Sequence, residues 1–142
     1  VWTLTAEPRA AADARALTTG RLRDWARLGR IAAEPGEIDD ITLIVDELIT
    51  NAVVHGRGTV RLLLTLDGAP TAPVLLGEIT DDDPALPPVP RGPVPEPPVL
   101  DWSEDGRGLL LVTALATDYG TRPRPPGKTV WFTRALKPHP GP

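Results

Sequence analysis

The clearest hydrophobic pattern in the chain runs from residue 39 to residue 55, and it predicts a helix. Apolar residues recur there at the three- and four-residue spacing that gathers them on one broad face. Glu47, Asn51 and His55 follow at four-residue intervals, so they form a polar stripe along one edge of that face. A carboxylate and an amide beside a core are costly unless something binds them. The stripe is therefore a candidate site for a hard cation or a polarised water; the alternative is the ordinary polar boundary of an amphipathic helix.

The rest of the pattern predicts several strands and two more helices. Strands are predicted at residues 2–5, 59–66, 74–80, 119–121 and 128–136, and helices at 7–28 and 109–117, with Pro35 opening the central helix. The run from Asp67 to Pro70 is a strong turn signal, which joins the second and third strands in a hairpin. This element order predicts an α+β fold, namely a two-layer α/β sandwich with a mixed, mostly antiparallel sheet and helices on one face.

Proline interrupts the pattern in the second half of the chain. Eight of the fifteen residues from Pro84 to Pro98 are proline, which excludes a helix or a sheet interior there. We expect residues 84–104 to form an exposed, semi-rigid loop within a single domain that spans residues 1–136. We expect residues 137–142 to form a disordered tail.

Composition narrows the classes of function. The net charge of −4 and the pI near 5.1 do not indicate the positively charged surface that nucleic acid requires, so we expect no direct contact with nucleic acid. The chain has no cysteine, which excludes disulfides and thiolate metal sites. No apolar run approaches the length of a membrane span, and the first residues do not have the pattern of a signal peptide. We therefore expect a cytoplasmic protein that does not associate with a membrane.

Two further polar features stand at the ends of predicted elements. Asp81 ends an apolar strand, where a partly desolvated carboxylate can accept a hydrogen bond from an exocyclic amine; a turn or cap role is the alternative. The run Gly106-Arg107-Gly108 precedes a predicted helix, where backbone N–H groups and the helix dipole favour an anion such as phosphate. A plain glycine-rich turn is the alternative for that run.

Four runs of the sequence, taken in order, resemble the motifs of one family. The run from Glu47 to Gly56 is similar to the N box of the histidine kinase-like ATPases, the GHKL superfamily with the Bergerat nucleotide fold. Asp81 resembles the G1 box, the run from Asp105 to Leu109 resembles the G2 box, and the run from Gly127 to Phe132 resembles the closing strand. The resemblance covers the chain from about residue 9 to residue 136. It places the proline-rich loop at the position of the ATP lid.

The resemblance implies a site for ATP and Mg²⁺. Glu47 would be the catalytic residue, which orients or deprotonates the attacking hydroxyl or water. Asn51 would hold the metal ion and, by means of that ion, the nucleotide phosphates. The other implied nucleotide contacts are Asp81 at the adenine amine, Gly106, Arg107, Gly108 and Leu109 at the phosphates, and Thr129 beside the base pocket. His55 would have a structural role.

The short chain is most similar to the anti-sigma-factor serine/threonine kinases that are common in actinomycetes. That branch implies a regulatory kinase whose protein partners are a sigma factor, an anti-sigma antagonist that it phosphorylates, or both. Relatives of this branch tend to dimerise through the sheet, so the resemblance also implies a homodimer.

The sequence departs from the family pattern at the G1 box. The family reads D-x-G-x-G there, whereas Asp81 is followed by Asp82, Asp83, Pro84 and Ala85, with no glycine to let the backbone come close. Two extra carboxylates also repel a polyphosphate unless a cation intervenes. This departure favours an alternative in which the domain keeps the fold, binds nucleotide weakly or not at all, and acts by sequestering a partner.

A third reading is the detached catalytic domain of a two-component sensor kinase. Such a protein requires a phosphoacceptor histidine in a dimerisation region. The chain has two histidines, His55 within the N box and His139 in the tail, and neither suits that role.

Overall fold

The protein is described by a computed structural model that covers residues 1–55, 58–82 and 104–140, without the side chains of residues 54, 55 and 104–109. The elements in chain order are β1 (Trp2–Thr5), α1 (Ala10–Arg27), α2 (Pro35–His55), β2 (Thr59–Ala69), β3 (Ala72–Asp81), α3 (Glu104–Leu115), β4 (Asp118–Arg124) and β5 (Gly127–Ala135). The predicted loop and its lid role, together with Gly56 and Asp83, lie outside the described residues.

The strands form one sheet in the order β1-β2-β3-β5-β4, and every described pairing is antiparallel. The predicted hairpin is confirmed, with longer strands than the sequence indicated, because Ala69 still pairs with Ala72 and only Pro70 and Thr71 form the turn. Strands β2, β3 and β5 are paired on both sides, and β3 is the central strand of the sheet. The α+β fold with helices over one face is therefore confirmed, and the sheet is more uniformly antiparallel than expected.

The helix α2 occupies the middle of the helical layer, where it packs against α1, α3, β2 and β3. The apolar face predicted from its sequence is buried: the relative exposure of its residues Ile41, Ile44, Val45, Leu48, Ile49 and Ala52 is 4% or less. On the sheet, Phe132 is fully buried, and its ring lies where a β-carbon on Gly77 would stand. Glycine in the middle of β3 therefore makes room for an aromatic ring directly opposite it in β5.

The helix α3 begins earlier than the sequence indicated. We expected a glycine-rich turn followed by a helix from Leu109 to Thr117, whereas α3 runs from Glu104 to Leu115. The low intrinsic helix propensity of glycine indicated a turn. That expectation was wrong because the packing of α3 on α2 can stabilise a helix that the local sequence does not favour. The run Gly106-Arg107-Gly108 consequently lies inside the first turns of the helix.

Arg134 on β5 connects the two helices that flank the proposed site. It donates a hydrogen bond to the backbone carbonyl of Leu115 at the end of α3, at 2.6 Å, and another to the Asp40 carboxylate on α2, at 3.0 Å. The first of these bonds satisfies one of the carbonyls that a helix leaves unpaired at its C-terminus. Arg134 thereby holds the end of α3 beside the beginning of α2.

Lys137 continues this connection at the end of β5. Its backbone N–H donates to the Glu37 carboxylate at 2.8 Å, and its backbone carbonyl accepts from the N–H of Ala32 at 3.1 Å. Its ammonium also donates a hydrogen bond to the Glu34 carboxylate, which raises the pKa of Lys137. Lys137, which the sequence assigned to the tail, thus lies against the start of α2.

We expect Arg134→Met to lower the free energy of unfolding by about 1–3 kcal/mol, since a carbonyl and a carboxylate both lose a charged donor. Urea denaturation measures the change. Arg27→Met is the matched control, because the Arg27 side chain is 77% exposed and pairs with Asp24 at the surface; it should change the value by less than about 0.5 kcal/mol. Equal losses for the two variants would show that Arg134 does not connect the layers.

Candidate functional site

The direction of α2 decides where its polar stripe lies. Its beginning is held at the end of β5 by the contact between Asp40 and Arg134. Its far end leads to Gly58, where a β-carbon would lie 3.4 Å from the side chain of Asp82, just after β3. The helix therefore runs along the sheet toward the edge where β3 ends and β5 begins.

Lengths along the elements place Asn51 level with that edge. Eleven residues of helix separate Asp40 from Asn51, which is about 16 Å. Six residues of strand separate Arg134 from Lys128, which is about 20 Å. Because both distances start from the same contact, we infer that Asn51 lies near the level of Lys128, which pairs with Asp81.

The helix α3 points its first turn toward the same edge. Its last carbonyl, that of Leu115, contacts Arg134 beside the beginning of α2, and α3 packs along α2. The first turn, with the run Gly106-Arg107-Gly108, therefore lies at the end of α2 that carries Asn51, about 14 Å from Leu115. We infer that Glu47 and Asn51 on α2, Asp81 at the end of β3 and the backbone of the first turn of α3 lie at the same end of the domain.

Glu47 and Asn51 lie one helical turn apart on α2, and both side chains are half-buried. They border the buried face, since Leu48 beside Glu47 and Ala52 beside Asn51 are 3% and 4% exposed. The local reason is the helical period, which brings residues four apart onto one line. Their chemistry is a carboxylate that can accept a proton and an amide oxygen that can ligate a hard cation.

Asp81 is buried at the end of β3, and it faces a lysine. The register pairs Asp81 with Lys128 on β5, and the Lys128 ammonium lies 3.2 Å from Asp81 Oδ1. The two side chains are 1% and 6% exposed, respectively. A charge is rarely buried so far unless it is paired, so each side chain stabilises the other in this position.

Thr129 lies on the other face of the sheet. It pairs with Thr80, and the two hydroxyl oxygens are 2.7 Å apart in a buried hydrogen bond. Side chains alternate along a strand, and Phe132 and Arg134 point to the helices, so Lys128 also faces the helices and Thr129 does not. The resemblance implied that Thr129 borders the base pocket; in the structure Lys128, not Thr129, is the β5 residue beside Asp81. Sequence reasoning missed Lys128, since only the pairing of β3 with β5 brings it to Asp81.

The first turn of α3 can offer backbone donors. The first four N–H groups of a helix have no carbonyl partner within it, and here they belong to residues 104–107. Gly106 and Arg107 are among them, whereas the N–H groups of Gly108 and Leu109 fall inside the regular helical bonding. Of the four predicted phosphate contacts, Gly106 and Arg107 therefore lie in the first turn, whose amides have no carbonyl partner within the helix itself.

Gly127 brings the backbone of β5 very close to that of β3. A β-carbon at Gly127 would overlap the backbone carbonyl oxygen of Asp81 and would lie 2.6 Å from the α-carbon of Asp82. Only glycine allows this approach. The approach keeps the strand-end carboxylate and its lysine partner at the same edge.

Magnesium is compatible with the donors at this edge. No group of three or more His, Asp or Glu side chains that could hold a metal ion is found within the described part of the chain. Mg²⁺ binds in nucleotide sites through one or two protein oxygens, with phosphate oxygens and waters as the remaining ligands. The amide oxygen of Asn51, a half-buried residue one helical turn from Glu47, is a donor of that kind.

The chain belongs to the histidine kinase-like ATPase domain family, whose sequence model matches residues 4–134. Its fold is the two-layer α+β sandwich of the GHKL ATPases. Among solved structures, a mycobacterial sensor histidine kinase, MprB, is similar: the two are 15% identical, the match covers 89% of this chain and 96% of that chain, and the TM-score is 0.47. A likeness at that level carries no information about function.

No curated protein matches the sequence. None of the helices in the described ranges is both long enough and apolar enough to cross a membrane.

Proposed function

We propose that this protein is a cytoplasmic regulatory protein that binds ATP and Mg²⁺, and that it acts as a serine/threonine kinase of the anti-sigma type. Its protein substrate would be an anti-sigma antagonist, and a sigma factor would be the protein that it sequesters. Membership of the histidine kinase-like ATPase family supports nucleotide binding. The proposal is supported most by the positions of three groups that we infer to lie at one end of the sheet, namely Glu47 and Asn51 on α2, buried Asp81 at the end of β3, and the first turn of α3.

Each candidate residue of the site would have a separate role in phosphoryl transfer. Such a reaction asks the protein mainly for positioning and for neutralisation of charge. Asn51 would hold the magnesium ion, which supplies positive charge at the phosphates when it is bound. Amides of the first turn of α3 would contact the phosphate oxygens. Asp81 would accept a hydrogen bond from the base.

Glu47 would act on the nucleophile. It would orient a Ser or Thr hydroxyl of the partner, or a water, toward the terminal phosphorus, and it would take the hydroxyl proton as the new P–O bond forms and ADP leaves. Glu47 is half-buried at the border of the apolar face of α2. A half-buried carboxylate on a rigid helix is well suited to hold a nucleophile in one orientation.

Calorimetric titration with ATP and Mg²⁺ tests nucleotide binding. We expect the wild type to bind and Asn51→Ala to lose affinity by about tenfold or more, because a metal-ligating oxygen is removed. Thr50→Ala is the matched control, since Thr50 is the neighbouring exposed residue of α2 and its loss should leave the affinity unchanged. No heat from the wild type at about millimolar nucleotide would contradict the proposal.

A second candidate function is a partner-binding module without catalysis. The buried ion pair between Asp81 and Lys128 favours it, because the carboxylate expected at the base already has a cationic partner. The G1 run without glycine favours it too. In that case the domain would act by sequestering its partner, and the titration would show no nucleotide binding while the protein remained folded.

A further inference from the structure

Strand β1 covers only part of one side of β2. It pairs with residues 59–62, whereas β3 pairs with β2 along residues 61–69. Apart from β3, no segment in the described part of the chain forms a backbone hydrogen bond with residues 63–69. This half of β2 is therefore paired on one side alone, and we call its unpaired side the β2 edge.

The ladder shows which backbone groups the β2 edge presents. In an antiparallel ladder, alternate pairs of residues exchange both hydrogen bonds, and the residues between them turn their N–H and C=O groups to the opposite side. The N–H of Ala6 donates to the carbonyl of Gly58 at 2.9 Å, so the even-numbered residues from there along β2 face β1. Leu64 and Leu66 therefore direct their N–H and C=O groups to the β2 edge.

The two sides of the sheet differ in their protection against a further strand. Charged side chains and proline hinder the addition of a strand. Strand β4, on the other side of the sheet, carries Arg122, Pro123 and Arg124. The β2 edge begins with residues 63–66, which read Leu-Leu-Thr-Leu and contain neither a charge nor proline. The sequence of β2 thus favours the addition of a strand, whereas that of β4 opposes it.

A cavity of about 240 Å³ adjoins the β2 edge. Leu66 lines it together with Pro73 of β3 and with Gly29 and Arg30, which follow α1. Residues opposite each other in paired strands share a face of the sheet, so a side chain that an added strand placed opposite Leu66 would point into this cavity. Leu28, which precedes Gly29, is 72% exposed and extends the apolar surface.

Two charged residues also line the cavity, and they differ in their partners. The Asp67 carboxylate accepts a hydrogen bond from the N–H of Gly68 at 2.8 Å. Arg30 is exposed, and its guanidinium forms no ion pair with any residue that the structure describes. A carboxylate of an added strand would therefore have an available cation in Arg30.

We propose that the β2 edge binds an extended segment of a partner protein, which adds a strand to the sheet. The segment pairs with the N–H and C=O groups of Leu64 and Leu66, which gives affinity. Its side chains give specificity, namely an apolar residue in the cavity beside Leu66 and an acidic residue at Arg30. The β2 edge lies toward the hairpin, away from the end of the sheet that holds Asp81, so the inference does not depend on nucleotide binding.

Hydrogen exchange of the free wild-type protein is the first test. The amides of Leu64 and Leu66 should exchange at least about tenfold faster than those of Leu63 and Thr65, which face β3. Equal protection of the four amides would overturn the inference, because the β2 edge would already be paired. Analytical ultracentrifugation of the same sample then shows whether a second copy of the chain is the occupant.

A synthetic peptide is the second test. The probe has eight residues that alternate valine and threonine, with glutamate in place of the last valine. It should bind with a dissociation constant below about 1 mM, measured by calorimetry, and slow the exchange of the Leu64 and Leu66 amides. If no peptide described here slowed the exchange of these two amides, the inference would be overturned.

Two methylated copies of the peptide distinguish strand addition from binding through side chains. In an added antiparallel strand, the residues that share the face of Leu66 also form the backbone bonds to β2. Methylation of the valine nitrogens should therefore weaken binding by about tenfold or more, because these N–H donors are lost. Methylation of the threonine nitrogens is the matched control and should leave the affinity unchanged. Equal affinities of the two copies would contradict strand addition.

A charge reversal tests the acidic residue of the segment. Arg30→Glu should weaken the glutamate peptide by about threefold or more and leave a glutamine version unaffected. Arg9→Glu is the matched control, since Arg9 is 74% exposed and pairs with Asp13 at the other end of α1; its affinity for both peptides should equal that of the wild type. If Arg30→Glu bound the glutamate peptide as the wild type does, the assignment of an acidic residue to the partner would be wrong.

Discussion

Replacement of Glu47 by glutamine should reduce phosphoryl transfer by about 10²–10⁴-fold while nucleotide binding remains nearly unchanged. The amide keeps the size of the side chain on α2 but cannot take a proton, so the loss falls on the chemical step. Formation of ADP from ATP and Mg²⁺, with water or a partner hydroxyl as acceptor, measures the step. Calorimetry on the same preparation measures the binding.

Asp46→Asn is the control for Glu47→Gln, because it removes a carboxylate from the adjacent position of the same helix. Asp46 points away from the candidate site, and its carboxylate lies 3.6 Å from Arg15 on α1. We expect this variant to transfer phosphate at the wild-type rate. If Glu47→Gln kept full activity, Glu47 would not be the base, and the proposed mechanism would be wrong even with ATP bound.

Gly127→Ala should produce the largest loss of stability among glycine substitutions in the described part of the chain, about 2–3 kcal/mol in the free energy of unfolding. The added β-carbon would overlap the Asp81 carbonyl oxygen, which belongs to backbone and cannot rotate away. Strands β3 and β5 would have to separate at the edge that holds the Asp81–Lys128 pair. Urea denaturation measures the loss.

Gly20→Ala is the control for Gly127→Ala. Gly20 lies within α1, and a β-carbon there meets nothing within 4 Å. Alanine should therefore raise the free energy of unfolding by about 0.5–1 kcal/mol, because it restricts the unfolded chain and favours the helix. Similar losses at the two glycines would mean that the close approach at Gly127 does not exist in solution.

Much of the fold could be predicted because its signals are local. The helical spacing of residues 39–55 predicted both the buried face of α2 and the half-buried positions of Glu47 and Asn51. The turn signal after Asp67 predicted the pairing of β2 with β3. Each of these features depends on residues a few positions apart, and backbone periodicity is a property of such short stretches.

The beginning of α3 could not be predicted in the same way. Two glycines in three residues indicated a turn, since glycine weakens a helix by about 1 kcal/mol per residue. The packing of α3 on α2, and the bond from Arg134 to the Leu115 carbonyl, act on the helix from distant parts of the chain. Those contacts stabilise a helix that the local sequence does not favour.

The sequence by itself determined the class of fold, the polar stripe on α2 and the acid at the end of β3. These features follow from the spacing of apolar and polar residues within short stretches of the chain. Only the tertiary structure decided that Lys128, 47 residues from Asp81, becomes its buried partner, and that Thr129 turns to the opposite face. The physical reason is strand register. A shift of one residue between β3 and β5 exchanges every side chain between the two faces, and no local pattern specifies that alignment.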